Sequence, residues 1–105
     1  MTRARTLALT PTLTEVDVPL SAAHFAEDRR WRELADGVNV IDTAFPILGR
    51  LSADYVRTAR EAAAAADVVV ISHPWIYPLV ADALDRARQV LVYDAHNVES
   101  LLRWE

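Results

Sequence analysis

The chain has 105 residues, 52% of them hydrophobic, with 11 Lys or Arg against 15 Asp or Glu and a formal net charge of -4. That length holds one domain with a modest core. The apolar fraction argues against a disordered tail, and the acidic balance leaves no basic footprint, so nucleic acid is set aside as a partner. With no cysteine in the chain, disulfides, zinc ribbons and thiol nucleophiles are excluded together.

The apolar stretches are broken by Asp, His or Pro well short of the roughly 20 residues a membrane span needs. The opening Met-Thr-Arg-Ala-Arg is basic, yet the apolar run behind it, Thr6 to Thr10, is too short for the core of a signal peptide. The chain therefore reads as cytoplasmic.

In chain order, Thr6 to Thr10 predicts a short buried strand, with Pro11 ending its ladder, and Leu13 to Leu20 predicts a second extended piece limited by Pro19. From Ser21 to Asp36 the pattern is helical. Phe25, Trp31, Leu34 and Ala35 share the side to be buried, while Asp28, Arg29, Arg30, Arg32 and Glu33 face water, and Gly37 supplies the stop. Val38 to Ile41 predicts a strand ending at Asp42-Thr43, with Phe45 and Pro46 in the following loop. Ser52 is placed to cap a helix running to about Ala66, whose stripe of Val56, Ala59, Ala63 and Ala66 suits close packing on a sheet.

The unalternating β-branched run Val68-Val-Val-Ile71 predicts a strand buried on both faces of a parallel sheet. After Ser72-His73-Pro74-Trp75-Ile76-Tyr77-Pro78, a helix is expected to about Arg88, burying Leu79, Val80, Ala83, Leu84 and Ala87 and pairing Asp82 with Arg86 at its surface. Val90 to Tyr93 predicts the next strand. Asp94, His96 and Asn97 lie just past its carboxyl end, and Asn97 caps a helix that buries Val98, Leu101 and Leu102. The alternation of strands and helices predicts an α/β fold, a Rossmann-like parallel sheet with flanking helices, in which Val68 to Ile71 and Val90 to Tyr93 are adjacent and parallel.

In such a sheet, ligands bind at the carboxyl edge of the strands. Four strand ends would meet there: Thr10, Asp42-Thr43, Ser72-His73 and Asp94 to Asn97. Ordinary loop polarity accounts for Thr10 and Asp42. His73 and His96 each follow a wholly apolar strand and are better read as functional. Asp94 and His96, together with His73 or Glu99, are also metal-ligand residue types, so a metal-dependent hydrolase is one alternative. A non-catalytic interaction module is another, with Trp75 and Trp104 as docking anchors. Only Gly37 and Gly49 are glycines, so no dinucleotide fingerprint or phosphate loop is present and no cofactor is expected. Ser72 lacks a nucleophile elbow.

Asp67-Val-Val-Val-Ile-Ser-His-Pro-Trp, followed by Val-Leu-Val-Tyr-Asp-Ala-His-Asn-Val-Glu-Ser-Leu-Leu, resembles the amino-terminal domain of retaining glycosyltransferases of the GT-B fold, family 4. The resemblance runs from about Val38 to Glu105, and its specific part is the Tyr93 to Glu99 segment. It implies two Rossmann-like domains facing a cleft, with the acceptor, a glycan, lipid or small molecule, recognised on the first domain. The nucleotide-sugar donor is held mainly by the second. His96 takes the position of the histidine that reaches the reacting centre, Asp94 and Asn97 match motif positions beside it, and His73 matches a histidine near the acceptor.

Two features depart from that pattern. The family's glycine-rich loop after the first strand is replaced by Thr10-Pro11-Thr12, so either the chain starts at the family's second strand or the loop is lost. The second domain, with its glutamate pair, is missing. Residues 1–105 are accordingly expected to be a single partial Rossmann-like domain, the acceptor-side half of a transferase, inactive alone.

Overall fold

The computed structural model describes residues 3–94. The chain is a mixed α/β protein with two small sheets among the described residues, one antiparallel and one parallel. Strands β1 (Arg5–Thr10) and β2 (Leu13–Asp17) form the antiparallel pair. Here the expectation of a buried first strand in a parallel sheet fails. Pro11 does end β1 as expected, but it does so in the turn of a hairpin, where its restricted φ favours reversal, and the Thr12 N–H donates to Thr10 Oγ1 at 3.2 Å. Arg5 and Asp17 face each other across the open end, with Nε to Oδ2 at 2.9 Å. Leu9, Leu13 and Val16 remain exposed.

Helix α1 (Ala22–Leu34) starts where Ser21 Oγ accepts from the His24 N–H at 3.0 Å. It ends in a Schellman arrangement: Gly37 N–H donates to Arg32 O at 2.8 Å and Asp36 N–H to Glu33 O at 3.2 Å, with Asp36 at φ 58° and Gly37 at φ 81°. The helix is therefore where the sequence predicts it, but its buried face is not. His24 and Asp28 are its buried residues, while Phe25 and Leu34 are exposed. The reason lies across the contact, where a serine hydroxyl and the Phe45 ring meet the imidazole and reward a polar, aromatic group over an aliphatic one.

Residues 38–40 are irregular and 41–44 are turns, not the expected strand. Asn39 Oδ1 accepts from the Ile41 N–H at 3.1 Å and the Ala44 N–H reaches Val40 O at 2.8 Å, local bonds that take the backbone groups a ladder would need. Phe45 and Pro46, expected in a loop, open the short helix α2 (Phe45–Leu48), with Pro46 in its first turn, where no N–H is required. A 3-10 turn at Gly49–Leu51 leads into α3 (Ala53–Ala65). A side chain on Gly49 would force its neighbours to shift: a Cβ there would lie 2.6 Å from Leu79 Cδ1 and 2.9 Å from Phe45 Cε1.

Strands β3 (Val68–Ile71) and β4 (Val90–Tyr93) pair in parallel with Val68 opposite Val90 and Ile71 opposite Tyr93. The segment joining them is not the long helix expected to Arg88. A 3-10 turn at Pro74–Ile76 precedes α4 (Tyr77–Val80), another 3-10 turn covers Ala81–Ala83, and Leu84 is extended. Asp85 breaks the helix by offering Oδ1 to the Ala87 N–H at 3.0 Å, while its own N–H donates to Gln89 Oε1 at 2.7 Å. Asp82 accordingly pairs with Arg60 of α3 and not with Arg86. Arg60 Nη1 also donates to Leu79 O at 3.0 Å, tying α3 to α4.

The core gathers Ala44, Leu48, Ala63, Ile71, Leu79 and Val80. Burial of β3 on both faces is not realised. Val68 is 55% exposed and Val70 57%, and their β4 partners Val90 and Val92 are 57% and 40% exposed, so one face of this sheet is bare. Among the described residues no helix is long and apolar enough to cross a membrane.

Candidate functional site

The parallel register brings two polar segments to one edge. Because Ile71 lies opposite Tyr93, Ser72-His73 and Asp94 leave the sheet at the same level. The Asp94 N–H carries the ladder one step further by donating to Ile71 O at 2.9 Å. His73 is extended, with φ -133° and ψ 133°, and directly precedes the Pro74–Ile76 turn. Proline after it favours that extended backbone and so helps aim the segment off the strand end. Ser72, His73 and Asp94 are all exposed. His96 and Asn97 lie outside the described residues.

Beside this edge is a cavity of about 530 Å³ along β3 and the alanine face of α3. Its polar lining comes from Asp42, Tyr55, Ser72 and His73. Asp42 thus joins His73 as the sequence reading implied, though from a turn rather than a strand end. Thr10 does not, since it belongs to the separate hairpin sheet. The edge itself collects two of the four expected strand ends, Ser72-His73 and Asp94, and Asp42 reaches the cavity beside it. The cavity is mostly apolar, and what it can do chemically is hold an apolar body while an imidazole, a hydroxyl and a carboxylate meet its polar groups. A smaller groove of about 310 Å³ lies between Ile71, Pro74, Tyr77, Pro78, Leu91 and Tyr93, again next to the strand ends.

No group of three or more His, Asp or Glu placed to hold a metal ion occurs among the described residues. The ligand set considered from sequence, Asp94, His96 and His73, includes a residue outside them.

A second polar cluster escaped the sequence reading. His24 is fully buried, its Nδ1 lies 2.9 Å from Ser52 Oγ, and Ser52 Oγ also accepts from the Ser21 N–H at 2.9 Å. Asp28, one turn along α1, is buried too, with Oδ2 bonded to Arg32 Nη2 at 3.2 Å. Ser52 was expected to cap α3, but its hydroxyl makes no cap and binds α1 instead. Burial pushes the His24 pKa below its usual 6.5, and the nearby Asp28 carboxylate opposes that shift. Serine, histidine and aspartate are the residue types of a hydrolytic triad. Here, however, Ser52 is buried and its Oγ already receives a backbone N–H, so no substrate carbonyl can approach it. The cluster clamps α1 to the start of α3. Its sequence signal was the spacing Ser21-x-x-His24-x-x-x-Asp28, a cap followed by an i,i+4 polar pair.

No protein-family model matches this chain, and neither any curated protein nor any solved structure matches it.

Proposed function

We propose that the β3–β4 edge is the acceptor side of a sugar-transfer cleft, and that the chain is the amino-terminal part of a GT-B retaining glycosyltransferase resembling family 4. The observation that carries this reading is the register: Ile71 opposite Tyr93, with Asp94 N–H on Ile71 O, brings His73 and the Asp94 segment to one edge beside a cavity. The Tyr93 to Glu99 segment supplies the resemblance. In this reading His96 reaches the reacting centre, Asp94 and Asn97 orient its loop, and His73 meets the acceptor hydroxyl. A neutral imidazole suits both histidines, since one ring nitrogen accepts a proton while the other is held by a neighbour. The nucleotide-sugar donor is held by a second Rossmann-like domain, so the chain alone transfers no sugar.

The test is a titration of the isotopically labelled chain, followed by NMR, with nucleotide sugars and separately with hydroxyl-bearing acceptors such as alkyl glycosides. Acceptors should move the His73 and Asp94 resonances, whereas nucleotide sugars bind weakly. Tight nucleotide-sugar binding by this chain alone, measured by calorimetry, would overturn the two-domain reading.

A specific observation also favours an interaction module: the valine face of β3–β4 is exposed, and so, on the separate hairpin sheet, are Leu9, Leu13 and Val16. A partner captured through these surfaces, with no response to either ligand class, would decide for that reading.

A further inference from the structure

Strand β3 has one hydrogen-bonded neighbour, β4, among the described residues. The carbonyls of Asp67 and Ile71 accept from that side, from the Val90 N–H at 3.0 Å and the Asp94 N–H at 2.9 Å. Backbone groups alternate from edge to edge along a strand, so Val68 and Val70 turn their N–H and C=O groups to the other edge. No strand among the described residues reaches that edge. It borders the cavity of about 530 Å³, which the alanine stripe Ala59, Ala62, Ala63 and Ala66 of α3 also lines. A row of backbone donors and acceptors along an apolar slot is a template for a further strand. The hairpin has the opposite need. Nine of its eleven strand residues are exposed, and two strands alone are marginal in water. Its two edges differ. Strand β2 carries Glu15 in its middle and Asp17 at its end, charges of the kind that guard an edge, whereas β1 has only Arg5, at its start, before Thr6-Leu-Ala-Leu-Thr10. The open edge of the hairpin is therefore β1.

We infer that the chain forms a symmetric dimer in which β1 of each copy adds antiparallel to β3 of the other, carrying Leu7 and Leu9 into the cavity. Leu7 and Leu9 are two apart and share one face of β1, and the small alanine side chains of α3 leave the room they take. Charge favours the antiparallel sense. Residues 3–14 hold Arg3 and Arg5 and no acidic residue, in a chain of net charge -4. Antiparallel addition carries that basic start to the carboxyl end of β3, level with Asp94, and Asp42 is in the cavity lining. Reciprocal exchange uses the same two surfaces on both copies and so closes at two. With the six residues of β1 and the residues lining the cavity, each copy contributes roughly 20 residues, the low end of a standard stable interface. The inference does not rest on the sugar-transfer reading. Because β3 ends at Ile71, Ser72-His73 stay open past the added strand.

The test uses the full chain. Sedimentation equilibrium over a concentration series should show a monomer–dimer equilibrium. Leu9→Lys and Val70→Lys, both at exposed positions, should each raise the dimer dissociation constant about tenfold or more while leaving the circular dichroism of the monomer unchanged. Because the chain has no cysteine, an Ala8→Cys, Val70→Cys double variant reports proximity cleanly, and a short bismaleimide should join two chains. A chain still monomeric at about 1 mM, or a dimer indifferent to both lysine variants, would overturn the inference. So would a cross-link confined within single chains, which would show the hairpin closing its own slot.

Discussion

The Nδ1 of His24 lies 2.9 Å from the Ser52 hydroxyl, joining α1 to the start of α3 across 28 residues of sequence. Burial lowers the His24 pKa, the Asp28 carboxylate works against it, and Arg32 partly neutralises Asp28. The folded state therefore prefers the neutral ring while the unfolded chain titrates near 6.5. A folded pKa below the unfolded value means that this contribution to stability is complete above 6.5 and falls as pH drops toward the folded pKa. Urea unfolding between pH 8 and pH 5 should show the midpoint decline below 6.5, and His24→Gln should flatten that part of the profile. An unchanged slope in the variant would remove His24 as the titrating group.

Gly49→Ala should destabilise the chain by about 1–3 kcal/mol, because the new methyl group overpacks a filled site. The clash is with Leu79 Cδ1 at 2.6 Å and the Phe45 ring at 2.9 Å, and Leu79 is itself fully buried. The denaturation midpoint reports this directly. Gly37→Ala would meet no atom within 4 Å, and its cost comes only from the φ of 81°.

Gln89 holds the carboxyl end of α3 by donating Nε2 to Ala63 O and to Ala66 O, each at 2.6 Å. Gln89→Leu should lose both bonds, and the one that Gln89 Oε1 accepts from the Asp85 N–H, at a cost of about 1–3 kcal/mol. Exchange of the amides in the last turn of α3 should rise in step with the loss of stability. A variant as stable as the parent would show that water replaces the amide.

Asp36 occupies the left-handed position that ends α1, at φ 58°. Asp36→Gly should stabilise the chain by up to about 1 kcal/mol, since glycine carries no Cβ penalty there. A melting temperature that falls would mean that the aspartate makes a compensating contact.

Zinc or manganese should leave the melting temperature unchanged if the strand-end residues serve sugar transfer. A clear rise with metal, abolished by His96→Ala, would move the assignment to a metal-dependent hydrolase built on Asp94, His96 and His73.

Local chemistry was readable from the sequence wherever the chain's own neighbours decide the outcome. The helical pattern from Ser21 and the stop at Gly37 placed α1, the β-branched runs placed β3 and β4, and their apolar character made them parallel partners. The polar residues immediately after each run followed, so His73 and Asp94 were legible as neighbours at one edge. Tertiary structure alone decided what depends on a distant partner. Which side of α1 is buried turned on Ser52 and Phe45 waiting to receive His24, and a hydrophobic count along the helix sees only its own side chains. Whether residues 38–41 joined the sheet turned on Asn39 taking the backbone bond of Ile41, and whether α4 reached Arg88 turned on Asp85 and Gln89 bonding to one another and to α3. Short polar side chains stabilise a turn about as well as a ladder or helix does, and only the contacts available on the neighbouring element settle the choice.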